Sequence, residues 1–350
     1  MKTNSLIFLL LLSLLSCAGD KKKITHFEDY NFCLSPTRLV ATDPLREELK
    51  FWEERLKKNA NDEASIIKLG SIHAELFKST GLINHIWISD SLYNQVLKSY
   101  ADGSVEIYQS LAGNAIAQHK FLDAKMYAEK ALALKDKKAT SLLMLVDASL
   151  EIGDYATANR TLQKFKNKNS FAYLIRKAKL KDHEGFLDSA IICMEKAYDR
   201  IKGNKSLSTW TLSNLADMYG HAGRIQDSYE HYLKVLNDDP HDDYALKGIA
   251  WIALSHDLDA ESAKTIVNEL AVRKNMPEAH LMLAEVAELN DNENEKIAQL
   301  RKFKSAVSGH GYKRMYHKYL ATLEAEEFMN PEEAAVIAHS EIANRPTPQS

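Results

Sequence analysis

The chain has 350 residues, of which 45% are apolar and 27% charged, with only 13 glycines and 7 prolines. That is the composition of a folded protein, and it favours helices over a sheet-rich fold. The formal net charge is −3, and lysine and arginine are spread along the chain, so the basic face or stripe of a nucleic-acid binder is missing and no nucleic acid is expected as a partner.

Residues 1–16 read as an export signal. Lys2 supplies a short positive region, and Leu6 to Leu15 form a run of about ten apolar residues, where a spanning helix needs roughly 20. The run ends in Leu14-Leu15-Ser16-Cys17, followed by Ala18-Gly19. This resembles the bacterial lipobox, and the resemblance implies that Cys17 becomes the first mature residue and carries lipid. Several acyl chains, each worth roughly 0.8 kcal/mol per buried methylene, hold a protein on a membrane essentially permanently. Ala18 is not the aspartate that retains some lipoproteins in the inner membrane, so an outer-membrane anchor facing the periplasm is expected. Residues 17–44 then read as a tether, with a segment around Phe27, Tyr30 and Phe32 expected to pack on the first helix, Leu45 to Lys58, as a cap. Cys33 and Cys193 lie far apart in the chain, and no disulfide between them is expected. Cys193, flanked by Ile191, Ile192 and Met194, reads as a small core residue.

From residue 45 to 345 the sequence is dominated by a period near 34. Counting from Leu215, Ala216 lies at +1, Tyr219 at +4, Gly223 at +8, Ser228 at +13, Tyr232 at +17, Val235 at +20 and Pro240 at +25. Two short antiparallel helices approach closely only where side chains are small, and large residues fill the space beside them. Related copies sit at Leu111, Leu145, Ala178, Ile249 and Leu283. A first, irregular copy opens at Leu69, with a longer loop expected around Ser79 to Ile86. A final helix pair is expected at Tyr312 to Glu327 and Pro331 to Asn344, where Asn330 caps and Pro331 takes the first turn. The pattern resembles the tetratricopeptide repeat. It implies an all-α solenoid, a superhelix of about seven to eight stacked antiparallel helix pairs. Residues 346–350 read as a tail, and the last pair either carries a polar outer face or docks on something.

Motifs that carry chemistry are missing from the sequence. It has no glycine-rich phosphate loop, nucleophile elbow or His-Glu-x-x-His zinc helix. Asn290-Asp291-Asn292-Glu293-Asn294 lacks the glycine and closing glutamate of a calcium loop and reads as a solvated turn. Its thirteen histidines are dispersed, so neither a metal, a cofactor nor catalysis is expected.

The repeat family commonly takes an extended peptide or a partner helix in its concave face, which the first helix of each pair lines. Residues two before and two after each repeat leucine project there. They give Ile175 and Lys179, Ser213 and Asp217, and Lys247 and Trp251, with Trp210 and Tyr244 near the starts of those helices and His221 at the far end of one. Flat aromatic area with a few orienting charges suits a recognition site. The expected function is a membrane-anchored scaffold that joins proteins in the cell envelope. The alternative is a lipoprotein that captures a glycan or peptide for a transporter.

Overall fold

A computed structural model describes residues 22–34, 43–134, 138–201, 203–309 and 312–347. The export signal, Cys17, the turn at His310-Gly311 and residues 348–350 lie outside them. Among the described residues there are seventeen α-helices and no strand. Helix α1, Asp43–Lys58, precedes eight helix pairs. These are α2 (Glu63–Thr80) with α3 (Ile83–Leu97), α4 (Val105–Ala117) with α5 (Phe121–Ala133), α6 (Lys138–Glu151) with α7 (Tyr155–Gln163), and α8 (Phe171–His183) with α9 (Leu187–Asp199). The series continues with α10 (Lys205–His221) and α11 (Ile225–Asp238), α12 (Asp243–Ser255) and α13 (Ala260–Arg273), α14 (Ala279–Leu289) and α15 (Glu293–Gly309), and α16 (His317–Glu326) and α17 (Pro331–Asn344).

Local chemistry places the helix ends. Ser104, Asp154, Ser170, Asn204, Asp242, Asp259 and Asn330 each accept a backbone N–H three residues on, satisfying a donor that the first turn leaves orphaned. The small repeat positions are the contact points between helices. Ala124, Ala128, Ala158, Ala178, Ala190, Ala216, Ala250 and Ala263 are completely buried. The closest approach is at Gly248, where an added Cβ would lie 2.2 Å from the ring of Tyr232. Glycine there lets α12 lie directly against that buried tyrosine.

Two expectations fail, each for a visible reason. The longer loop around Ser79 to Ile86 does not form. The additional residues extend α2 to eighteen, and only Gly81 and Leu82 separate it from α3. Gly81 sits at φ +72°, in the left-handed region that ends helices and suits glycine.

The described residues before α1 take their partners elsewhere than on that helix. Residues 22–34 instead form a strap across the fifth and sixth pairs, because the partners they need lie there. Asp257 accepts the backbone N–H groups of Ile24 (3.0 Å) and Thr25 (2.7 Å) and the Thr25 hydroxyl (2.6 Å), while Lys23 pairs with Asp259 at 2.6 Å. Tyr30 and Cys33 are sealed into the same core as Tyr229, Ile266, Val267 and Leu270. Burying a large apolar side chain contributes about 2 kcal/mol, so the strap is part of the core. Cys33 and Cys193 are both free thiols, Cys33 buried and Cys193 half-buried against the core of the fourth pair.

Of the two alternatives for the C-terminal end, docking is the one seen: Asn344 and Arg345 pack on the chain's own second and third pairs. Asn344 donates to the carbonyl of His119 at 2.7 Å, and Arg345 pairs with Glu151 at 3.4 Å and lies over the ring of Phe121. A second seam joins the long α2 to the sixth and seventh pairs. Asn275 N–H donates to Thr80 O at 3.0 Å, and the Tyr312 hydroxyl donates to Gly81 O at 2.6 Å while accepting from Ile83 N–H. Phe77, Ile83 and Ile86 share one core with Phe303, Val307 and Tyr312. The solenoid therefore closes back on itself, and its later repeats rest on its earlier ones.

Candidate functional site

The concave side is lined by the first helices of the later pairs. A groove of about 710 Å³ runs along α10, α12, α14 and α16. Asp217, His221, Tyr244, Lys247 and Trp251, five of the residues projected from the sequence, line it together. Tyr244 also borders a second cavity of about 830 Å³, which holds Trp210. Lys179 stands apart from both, paired with Glu151 at 2.6 Å between the third and fourth units. It belongs to the packing between neighbouring repeats and not to the groove.

The floor of the groove is a set of acid–tyrosine contacts. Asp217 accepts from the hydroxyls of both Tyr232 and Tyr244. Burial, reinforced by that carboxylate, pushes both phenols well above their ordinary range. Tyr316 donates to Glu278 at 2.6 Å, and Lys247 approaches the same carboxylate at 3.9 Å while lying 5.4 Å from the centre of the Tyr244 ring. These contacts hold the polar groups still and leave ring surface open. Trp251 is 41% exposed, Tyr244 47% and Tyr319 53%, although all three lie inside a concavity.

Sequence reasoning missed Glu278, Leu281, Glu285, Glu288, Lys318, Tyr319 and Thr322, all of which line the groove. A usable signal existed. The projection of two residues either side of the repeat leucine, carried on to Leu283 and Leu320, reaches Leu281, Glu285, Lys318 and Thr322. Glu285 has no partner among the described residues, and partial desolvation inside the groove together with Glu288 raises its carboxyl above the usual value. Lys296 lies at one end, shared by Glu288 and Glu327 at 3.1 Å each.

No cluster of three potential metal ligands occurs among the described residues, and no described helix is long and apolar enough to cross a membrane. No family model matches the sequence, and no curated protein matches it. Solved structures do resemble it in fold. A tetratricopeptide repeat protein from Parabacteroides merdae superposes with a TM-score of 0.55 at 14% identity, over 74% of this chain and 99% of that one. The signal-transduction ATPase with a tetratricopeptide repeat sensor from Pyrococcus horikoshii gives 0.53 at 16% identity, covering 87% of this chain and 54% of its own. The human IFIT1 dimer with PPP-AAAA gives 0.51 at 13% identity, over 92% and 82%. The chain thus has the tetratricopeptide-type solenoid fold: an all-α superhelix of stacked helix pairs.

Proposed function

We propose that this protein is a scaffold whose inner groove holds an extended segment of a protein partner, and that lipid on Cys17 tethers it in a bacterial envelope, at the outer membrane facing the periplasm. The observation that carries the binding reading is the exposure of Trp251, Tyr244 and Tyr319 inside one concavity, where Asp217, Glu278 and Glu288 are already held by tyrosine or lysine partners. Apolar ring area left open in a preformed groove contributes to affinity when covered, and little ordering remains to oppose it. Lipid tethering draws support from the run ending in Leu14-Leu15-Ser16-Cys17.

The lining argues against a polyanion. The groove and the adjoining cavity carry eight carboxylates and four lysines. A glycan is a second reading, favoured by Trp210 and Tyr244 sharing the larger, polar-walled cavity on which a sugar ring could stack. The dense carboxylate lining suits a peptide better. Affinity purification from detergent extracts tests the first reading. A defined protein partner should be recovered, and Trp251→Ala should weaken its binding about tenfold or more, as loss of a buried aromatic anchor does. Recovery that ignores this substitution rules the groove out, and a glycan that competes with the partner shifts the assignment to the second reading.

A further inference from the structure

The cavity beside the groove has a chemistry of its own, and it deepens the partner-binding reading on which it rests. We propose that the space between α10 and the α11–α12 turn receives a cationic side chain, lysine or arginine, of the bound segment. The walls are Trp210 and Tyr244, each nearly half exposed, and the rim carries Asp238, Asp239 and Asp242. Phe171 meets Trp210 edge-on, with ring centres 6.2 Å apart, and so fixes the orientation of the indole.

None of the three carboxylates has an ion-pair partner among the described residues. Asp239 accepts only the backbone N–H of His241, and one oxygen of Asp242 caps α12 through Ala245 N–H. Burial, then the nearby Asp239 and Asp243, raise the Asp242 carboxyl, as expected of a site that lacks a positive charge. Lys205, at the first turn of α10, is the single base on the walls.

A separate observation points to a ligand. Ser213, one turn along α10 from Trp210, lines the same cavity, is 4% exposed, and has a hydroxyl with no hydrogen-bond partner among the described residues. A buried hydroxyl without a partner is costly, and a donor from an entering side chain satisfies it. A bare metal ion fits poorly, since the carboxylates do not converge as a ligand cluster and two aromatic rings border the space. An ammonium or guanidinium on a long apolar stem uses every element: ring faces for the stem and the cation, carboxylates for the charge, and Ser213 for one N–H.

The purified chain can be titrated with four labelled nonapeptides, identical except that three positions carry arginine, citrulline, glutamine or glutamate. Citrulline keeps the shape and hydrogen-bonding edge of arginine without its charge. The arginine peptide should bind about tenfold or more tightly than the citrulline peptide, weaken as salt rises, and quench indole fluorescence. The double substitution Asp238→Asn with Asp239→Asn should erase that preference while leaving citrulline binding and thermal stability unchanged. Trp210→Phe should keep the preference and lose the quenching. Equal binding of arginine and citrulline peptides, binding of none of the four, or a preference that survives the double substitution would overturn the proposal. Partner capture lost on Trp251→Ala together with charge-blind peptide binding would leave the groove reading intact and defeat this inference alone.

Discussion

The fifth and sixth repeats have two faces, and they are built oppositely. On the outer face, the strap of residues 22–34 covers α11 and α13, with Tyr30 and Cys33 sealed in the core and its Ile24 and Thr25 backbone N–H groups paired. Asp257 alone takes two backbone N–H groups and the Thr25 hydroxyl, and also contacts His256 Nδ1 at 2.8 Å. On the inner face, α10 and α12 expose aromatic rings beside Asp238, Asp239 and Asp242, which lack ion-pair partners among the described residues. The same two repeats are thus closed through their second helices and left open along their first. Stability is concentrated where polar groups are paired and apolar ones sealed, and binding capacity where they are not.

This contrast can be broken from either side. The largest effect is expected on the outer face. Asp257→Ala leaves four donors facing a void and should cost about 3 kcal/mol in denaturant unfolding, with the strap becoming sensitive to protease. A cost below about 1 kcal/mol would show that the strap is only a surface ornament.

Acid should act on the same face next. Burial by itself would raise the Asp257 carboxyl, but hydrogen bonds from Thr25, His256 and the Ile24 and Thr25 backbone outweigh it and hold the group below its ordinary range. Burial likewise opposes ionisation of Asp259, yet Lys23 and Ser262 bring it down to about 2. Because both groups bind protons more weakly folded than unfolded, their contribution is complete above the unfolded carboxylate value near 4 and fades as pH falls toward 2. Stability measured across that window should drop less in Asp257→Ala than in the parent chain.

On the inner face the expected stability effects shrink. Trp251→Ala should cost about 1 kcal/mol or less in unfolding while weakening partner binding, the reverse of Asp257→Ala. Glu285→Gln should be the mildest. That carboxyl binds protons more tightly folded than unfolded, so its charge opposes folding above its titration range. The substitution should raise the melting temperature slightly near neutral pH and have no effect in acid. A lowered melting temperature at neutral pH would mean that Glu285 has a structural partner.

Much of this was legible in the residues, because the repeat is a local code. Small residues at Ala216, Ala250 and Ala263 and the capping Asn330 specify helices that touch their nearest neighbours, and each such contact lies within one or two periods. Asp217, Lys247 and Trp251 follow from the same arithmetic, since each repeat leucine sets the direction of its own helix, and Tyr244 and His221 from their places at the ends of those helices. The long-range closures were not legible. Tyr312 meeting Gly81 and Asn344 meeting His119 depend on the curvature summed over many repeats, a small rotation per unit that no single motif records. The strap was misplaced for the same reason, because Asp257 and Thr25 are 232 residues apart. Lys179 was assigned to the groove because the projection gives direction but not neighbours; Glu151, one repeat earlier, captures it.

The most direct test of an open inner face and a closed outer one is placement of a photo-crosslinking side chain at Trp251 and, in a second variant, at Ile192, which is exposed on α9. Each variant is irradiated with extract from the native host. The account predicts a discrete protein adduct from position 251, diminished by the arginine nonapeptide, and none from position 192. Adducts from position 192 alone, or from neither position, would contradict it.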